Sequence, residues 1–232
     1  FQRALDYCAL HPQTKLVIEK GTYHFRDEAS VDLNNCTELL IEGNDATFVF
    51  SSTDYRFFIR NSDCVEIRNL NVDWNWKESP LASVVTVQNS NADTNTLDLV
   101  FKDAEYCDEN CRLMAITQCD PETYTFGAKY SSKEVYLYQD ETNIKSFQKI
   151  SDNTLRVTHN GCMNGFEDGE TYILRHYVYN GTVFNLRDYS KNITFDNVSI
   201  YGSPGMAYIC EGNSSHFQII NSFIGVNPEY KD

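Results

Sequence analysis

The chain has 232 residues, 41% hydrophobic and 22% charged, which suffices for one large or two modest domains with a real core and argues against disorder. Its net charge of -14 speaks against nucleic acid or an anionic membrane as partner, and favours a neutral glycan over a polyanionic substrate. No apolar run reaches membrane-spanning length, so no membrane insertion is expected, and eight cysteines are too few for a disulfide-built scaffold.

Along the chain, Phe1 stands where a Met would begin a gene product, and no signal-like stretch follows, so the natural N-terminus is expected upstream. FQRALDYCAL sets Phe1, Ala4, Leu5 and Cys8 at helical spacing, and His11-Pro12 ends the run. A short capping helix is predicted. LVIEKGTYHF then reads as strand, turn at Gly21-Thr22, and second strand.

A nine-residue pattern follows three times: CVEIRNLNV (64–72), NITFDNVSI (192–200) and HFQIINSFI (216–224), each with alternating apolar residues around an Asn at its sixth position. A looser copy begins at Glu38 and has Gly43 in place of Asn. Asn197 and Asn221 are 24 residues apart, and Gly43 and Asn69 are 26 apart. Such a period marks a solenoid. Alternation on both sides of a fixed Asn gives two short strands flanking a bend, with Val65, Ile67, Leu70 and Val72 inward. Asn tolerates the left-handed conformation such a bend needs, and stacked Asn side chains can bond from coil to coil. The predicted fold is all-β, a right-handed parallel β-helix.

The period vanishes from about 77 to 176, where strands are predicted at 83–87, 97–101, 135–138, 155–158 and 172–174 between turn-rich pieces such as NSNADTN and FEDGET. This suggests an inserted antiparallel β-barrel or sandwich. The expected organisation is 1–76 for cap and first coils, 77–178 for the insertion and 179–232 for resumed coils.

Counting eleven residues back from each Asn aligns Phe58, Leu186 and Cys210 as inward core residues and Ile59, Arg187 and Glu211 as outward neighbours. Phe57, Asn185 and Ile209 face outward on the other side. Arg187 and Glu211 then sit about 4.8 Å apart on one sheet face. They form either a surface ion pair worth about 0.2–1 kcal/mol or, with Asn185, the floor of a sugar-binding groove in which Glu211 is the candidate catalytic residue. A second candidate is VDWNW, where Asp73 and Trp76 could stack on and bind a pyranose, or where the tryptophans could simply pack the coil. Cys107, Cys111 and Cys119 cluster without a histidine at ligand spacing, so burial as free thiols outweighs zinc and no metal or cofactor is expected. The lone histidines read as structural. Five Asn-x-Ser/Thr sequons, at Asn35, Asn180, Asn192, Asn197 and Asn213, are common by chance in Asn-rich coils and say little about secretion.

Three segments resemble the α-1,3-galactosidases of glycoside hydrolase family 110, within the pectin-lyase-like β-helix superfamily. NLNVDWNWKESPLASVVTV is similar to a coil ending in an Asp-aromatic pair before Pro and a strand opening an inserted barrel. FEDGETYILR is similar to the barrel's exit strand, and YGSPGMAYICEGNSSHFQIINSFIGV to a Ser-Pro-Gly-Met coil. The resemblance spans nearly the whole chain and rests on the order of its parts. It implies hydrolysis of terminal α-1,3-linked galactose with inversion and no metal, and a secreted, periplasmic or cell-surface setting. The family's catalytic carboxylates are expected after Asp232, and none of its catalytic motifs matches a position here. The alternatives are a polysaccharide lyase, which the acidic balance disfavours, and a non-catalytic glycan-binding or adhesive β-helix.

Overall fold

The computed structural model describes residues 1–26, 30–51, 56–108, 110–127, 133–138, 142–177, 181–203 and 205–227. Two compact units emerge, Phe1–Ser79 with Tyr179–Asp232, and Pro80–Val178.

The first unit opens with helix α1 (Gln2–Leu10), which buries Leu5 and Cys8. Strands β1 (Lys15–Val17), β2 (Thr22–Phe25), β3 (Val31–Asn34), β4 (Thr37–Phe50), β5 (Arg56–Arg60) and β6 (Asp63–Trp74) follow. The second unit contributes β7 (Ala82–Asn91), β8 (Thr96–Phe101), β9 (Ala115–Gln118), β10 (Glu134–Tyr136), β11 (Ile144–Ser151), β12 (Thr154–His159) and β13 (Thr171–Arg175). The chain then returns to the first unit with β14 (Thr182–Arg187), β15 (Lys191–Ile200), β16 (Met206–Cys210), β17 (Ser215–Ile220) and β18 (Phe223–Ile224).

The strands of the first unit stack in two parallel sheets. One runs β3-β5-β14-β16; in the other, β1 and β2 lie on β4, then come β6, β15, and finally β17 with β18. This is a parallel β-solenoid. Val65, Ile67, Leu70 and Val72 are buried as the alternation requires, and Phe57, Phe184 and Tyr208 stack from rung to rung at centroid distances of 5.2 and 5.4 Å. Phe48, Phe50, Phe57, Trp74, Phe184 and Phe195 are buried in this interior. Helix α1 closes one edge: the Gln2 side-chain amide donates to the Asp32 carbonyl and accepts from the Asp32 N–H, imitating the strand that β3 lacks on that side.

Asn69, Asn197 and Asn221 adopt left-handed φ values of 55°, 53° and 51°. Asn197 Nδ2 donates to Asn69 Oδ1 at 2.8 Å, but Asn221 Nδ2 donates to Asp196 Oδ1, so the Asn ladder is mixed rather than continuous. In the looser copy, Asn44 and Asp45 take the left-handed conformation. Gly43 has another role: a Cβ there would lie 2.4 Å from the Asn69 carbonyl oxygen, so Gly permits close backbone approach. A second left-handed column, Glu38, Cys64, Asn192 and His216, runs one residue into each long strand. Four different side chains occupy it, so no sequence signal marked it.

The expected register of β5 needs a correction. Ile59, not Phe58, aligns with Leu186 and Cys210, and Arg60 aligns with Arg187. Phe57 and Ile59 are buried and Phe58 faces out. The corner after β5 has two residues, Asn61 and Ser62, before β6, whereas Asp188, Tyr189 and Ser190 precede β15. A one-residue change in the corner reverses the face of every upstream side chain. Cys210 does occupy the inward register, but it is exposed because it lies on the outermost described rung.

The second unit is a seven-stranded antiparallel sheet, β10-β9-β13-β7-β8-β12-β11, with Val85, Leu97, Leu99, Ile116, Leu155 and Leu174 in one core. Among the described residues no ladder joins β10 to β11. Four predicted strands are present with longer bounds, while the one expected at 135–138 is the shorter β10, Glu134–Tyr136; β9 and β11 were not predicted. AITQ in β9 is almost wholly buried, and β11 spaces Ile144, Phe147 and Ile150 by three, so neither alternates.

Candidate functional site on the outer sheet face

The corrected register builds an outward face on β3, β5, β14 and β16. Asp32, Phe58, Asn185 and Ile209 form one row, and Asn34, Arg60, Arg187 and Glu211 the next. Asn185 Nδ2 donates to Glu211 Oε1 at 3.2 Å. The Arg187 guanidinium lies 3.8 Å from Glu211 and 3.4 Å from Asp188. The structure thus brings together the three residues that the repeat had placed on one face.

It also adds four that the repeat had not placed there. Arg60 forms a two-pronged ion pair with Asp32, a contact that raises the guanidinium's affinity for its proton still further. The Arg60 and Arg187 guanidiniums lie 5.8 and 5.9 Å from the Phe58 ring centre. Asp188 completes the Arg187 pair. Only the corner length could have revealed Arg60 and Phe58 as members of this face.

One polar atom of the cluster is left over: Asn185 is 4% exposed, and its Oδ1 has no hydrogen-bond partner among the described residues. A buried amide oxygen without a donor is unfavourable by about 1–3 kcal/mol, and a sugar hydroxyl is a suitable donor. Asp188 and Glu211 share one guanidinium, so their nearest oxygens are separated by at most about 9.5 Å, taking 3.4 and 3.8 Å with about 2.3 Å across the planar group. Both carboxylates face the Arg187 guanidinium and present oxygens that can accept hydroxyl hydrogens.

Asp73 and Trp76 lie elsewhere, at the end of β6 in the other sheet and just beyond it. Asp73 is 4% exposed; Oδ1 accepts from the Trp74 N–H at 2.7 Å and Oδ2 from Asn227 Nδ2 at 2.9 Å. Trp74 is buried with its indole N–H on the Ser79 carbonyl, while Trp76 is 38% exposed. No hydrogen bond or ion pair among the described residues links this pair to the Asn185 face.

In the second unit, Cys111 and His176 do meet: Cys111 Sγ is 3.3 Å from His176 Nδ1, and Ser83 Oγ is 2.9 Å from Nε2. Nδ1–H donates to the Arg112 carbonyl, which fixes Nε2 as the acceptor from Ser83. Burial pushes the Cys111 thiol up to about 12 and keeps His176 below the ordinary imidazole range. The trio is neutral, and no nucleophile is activated. Among the described residues no group of three or more His, Cys, Asp or Glu side chains could hold a metal ion. None of the described helices is long and apolar enough to cross a membrane.

Fold and face together define a parallel β-solenoid with a polar, partly unsatisfied outer surface, an architecture suited to extended polar ligands. The chain is 23% identical over 274 aligned positions to α-1,3-galactosidase B of Bacteroides thetaiotaomicron, covering 94% of this chain and 43% of the relative. It is 24% identical over 241 positions to α-1,3-galactosidase A of Shewanella woodyi, covering 90% of this chain and 38% of the relative. It thus spans about two fifths of the length of the curated relatives it matches. No protein-family profile matches the chain.

Proposed function

We propose that the chain is part of a glycoside hydrolase that removes terminal α-1,3-linked galactose by inverting hydrolysis, and that the face of Asn185, Arg187 and Glu211 binds the glycan. The observation that carries this is the orphaned Oδ1 of Asn185, 4% exposed, beside a guanidinium and a carboxylate fixed by ion pairing. The names of the two relatives support the sugar and the linkage. Inversion needs an acid and a base about 6.5–9.5 Å apart. Glu211 and Asp188 fall within reach of that spacing, but both are tied to Arg187. Glu211 is assigned to orienting the sugar or its attacking water. A periplasmic or cell-surface setting, where such glycans are met, belongs to the same proposal, as does barrel-like closure of the second unit.

The test is turnover of p-nitrophenyl α-galactoside and of Gal-α1,3-Gal by the full-length polypeptide carrying this chain. Absence of turnover of both refutes the hydrolase. Glu211→Gln is expected to weaken glycan binding severalfold while changing stability by no more than about 0.5 kcal/mol, because the side chain is exposed. The ion pairing of both carboxylates favours one second reading, a face that binds glycan without cutting it; retained binding without turnover would select that.

A further inference from the structure

The connection between β12 and β13 carries three pairs ending in glycine: Asn160-Gly161, Asn164-Gly165 and Asp168-Gly169. In each, the glycine nitrogen can attack the side-chain carbonyl carbon of the preceding residue, since glycine has no Cβ to hinder the approach. Asn160, Asn164 and Asp168 are all exposed, so neither sequence nor exposure separates the two Asn pairs. Hydrogen bonding does.

Asn160-Gly161 is held at both reacting groups. Asn160 Nδ2 donates to the Thr142 carbonyl at 2.7 Å, and the Gly161 N–H donates to His159 Nδ1 at 3.0 Å. Asp168-Gly169 is held likewise: Asp168 Oδ1 accepts from the Ser90 N–H and the Gly169 N–H donates to the Val87 carbonyl, both at 2.9 Å. Asn164-Gly165 is not. Neither the Asn164 carboxamide nor the Gly165 N–H makes a hydrogen bond among the described residues. Gly165 has φ 93°, and a Cβ there would meet only open space. Met163 and Phe166, on either side, are buried in the core of the second unit. The Asn164-Gly165 peptide is therefore an exposed apex between two fixed anchors, with its reacting groups free to meet.

We propose that Asn164 is a site of spontaneous deamidation, with water as the co-reactant. The Gly165 nitrogen gives its proton to hydroxide and bonds to Asn164 Cγ. The Cγ–Nδ2 bond breaks, and the amide takes a proton from water and leaves as ammonia. Water then opens the cyclic imide. Opening at Cγ leaves aspartate; opening at the backbone carbonyl leaves isoaspartate, with the main chain routed through Cβ. Either product adds a carboxylate close in sequence to Glu167 and Asp168. Isoaspartate also lengthens the main chain between Met163 and Phe166, so the change acts on the turn that joins two core residues. It involves neither the Asn185 face nor any glycan.

Incubation of the folded chain in mildly alkaline buffer, followed by trypsin and tandem mass spectrometry, tests this. One tryptic peptide, from Val157 to Arg175, carries all three pairs. The mass gain of amide-to-acid conversion should build up at Asn164 at least about tenfold faster than at Asn160, where bonds must open first. In urea the two rates should come within about twofold, because the bonds that protect Asn160 are gone. Labelling by an isoaspartyl methyltransferase should fall to near background in Asn164→Gln. Conversion at Asn160 as fast as at Asn164 in the folded chain overturns the proposal, as does no conversion at Asn164. A rate difference that persists unchanged in urea also overturns it, by showing that the fold does not select the site.

Discussion

Gly43→Ala is the sharpest test of how the solenoid rungs fit. The added Cβ would sit 2.4 Å from the Asn69 carbonyl oxygen, 2.9 Å from the Arg68 carbonyl oxygen and 2.9 Å from the Asn69 carbonyl carbon. All three are backbone atoms of the next rung, so no side chain can swing aside. Relief requires about 1 Å of separation between β4 and β6, to restore ordinary contact distance. The ladder resists this on both sides, at Glu42↔Arg68 and Ala46↔Leu70. Separation would also stretch the bonds from Arg68 Nε and Asn69 Nδ2 to the Glu42 carboxylate, at 2.7 and 2.8 Å. Overpacking alone costs about 1–3 kcal/mol, and weakening two charge-assisted bonds brings the expected loss to about 3–4 kcal/mol. Both tryptophans, Trp74 and Trp76, belong to the first unit, so indole fluorescence during urea unfolding reports on that unit. The midpoint should fall by more than about 1 M with little change in slope. Asn44→Gly, at a left-handed position with φ 50°, is the control and should leave the midpoint near wild type. A Gly43→Ala midpoint within about 0.3 M of wild type would refute the claim that backbone approach, rather than turn conformation, requires this glycine.

Two further outcomes concern the same unit. Ser62 is buried at a corner, where its Oγ accepts from the Cys36 N–H at 3.1 Å and donates to the Arg60 carbonyl at 2.7 Å; Ser62→Ala should cost about 1–3 kcal/mol in the same unfolding assay, by leaving a buried N–H without a partner. Hydrogen bonds from Asn69 and Arg68 lower Glu42 from 4.5 to about 2. The folded value lies below the unfolded one, so this stabilisation is full above about pH 4.5 and fades as pH falls toward 2. Glu42→Gln should therefore cost about 1–2 kcal/mol at pH 7 and nearly nothing at pH 2, a difference read from urea titrations at the two values; an equal loss at both would show that packing, not charge, is at stake.

The solenoid was legible because its signals are local. Alternation at Val65, Ile67, Leu70 and Val72 needs only neighbouring residues to declare an inward face, and Asn at 69, 197 and 221 declares its own tolerance for a left-handed bend. The second left-handed column at Glu38, Cys64, Asn192 and His216 stayed hidden, because the stacked backbone imposes that conformation on whatever side chain falls there. Strand β9 was hidden for a related reason: with neighbours on both sides and nearly all of AITQ buried, it shows no polar alternate.

The candidate site divides the same way. Asn185, Arg187 and Glu211 could be placed together by counting from the repeat, since the paired residues Leu186 and Cys210 stand equally far before the paired residues Lys191 and Ser215. Arg60 and Phe58 could not, because the corner before β6 is one residue shorter and turns them over. Nor could the burial of Asp73, whose carboxylate is held by Asn227, 154 residues away. By itself the sequence determined the repeat, the inward face and the outward position of Arg187 and Glu211, all of which follow from strand periodicity. Only the tertiary structure decided which rungs share a row and which polar atoms lack partners, because register and satisfaction depend on residues brought together across the fold.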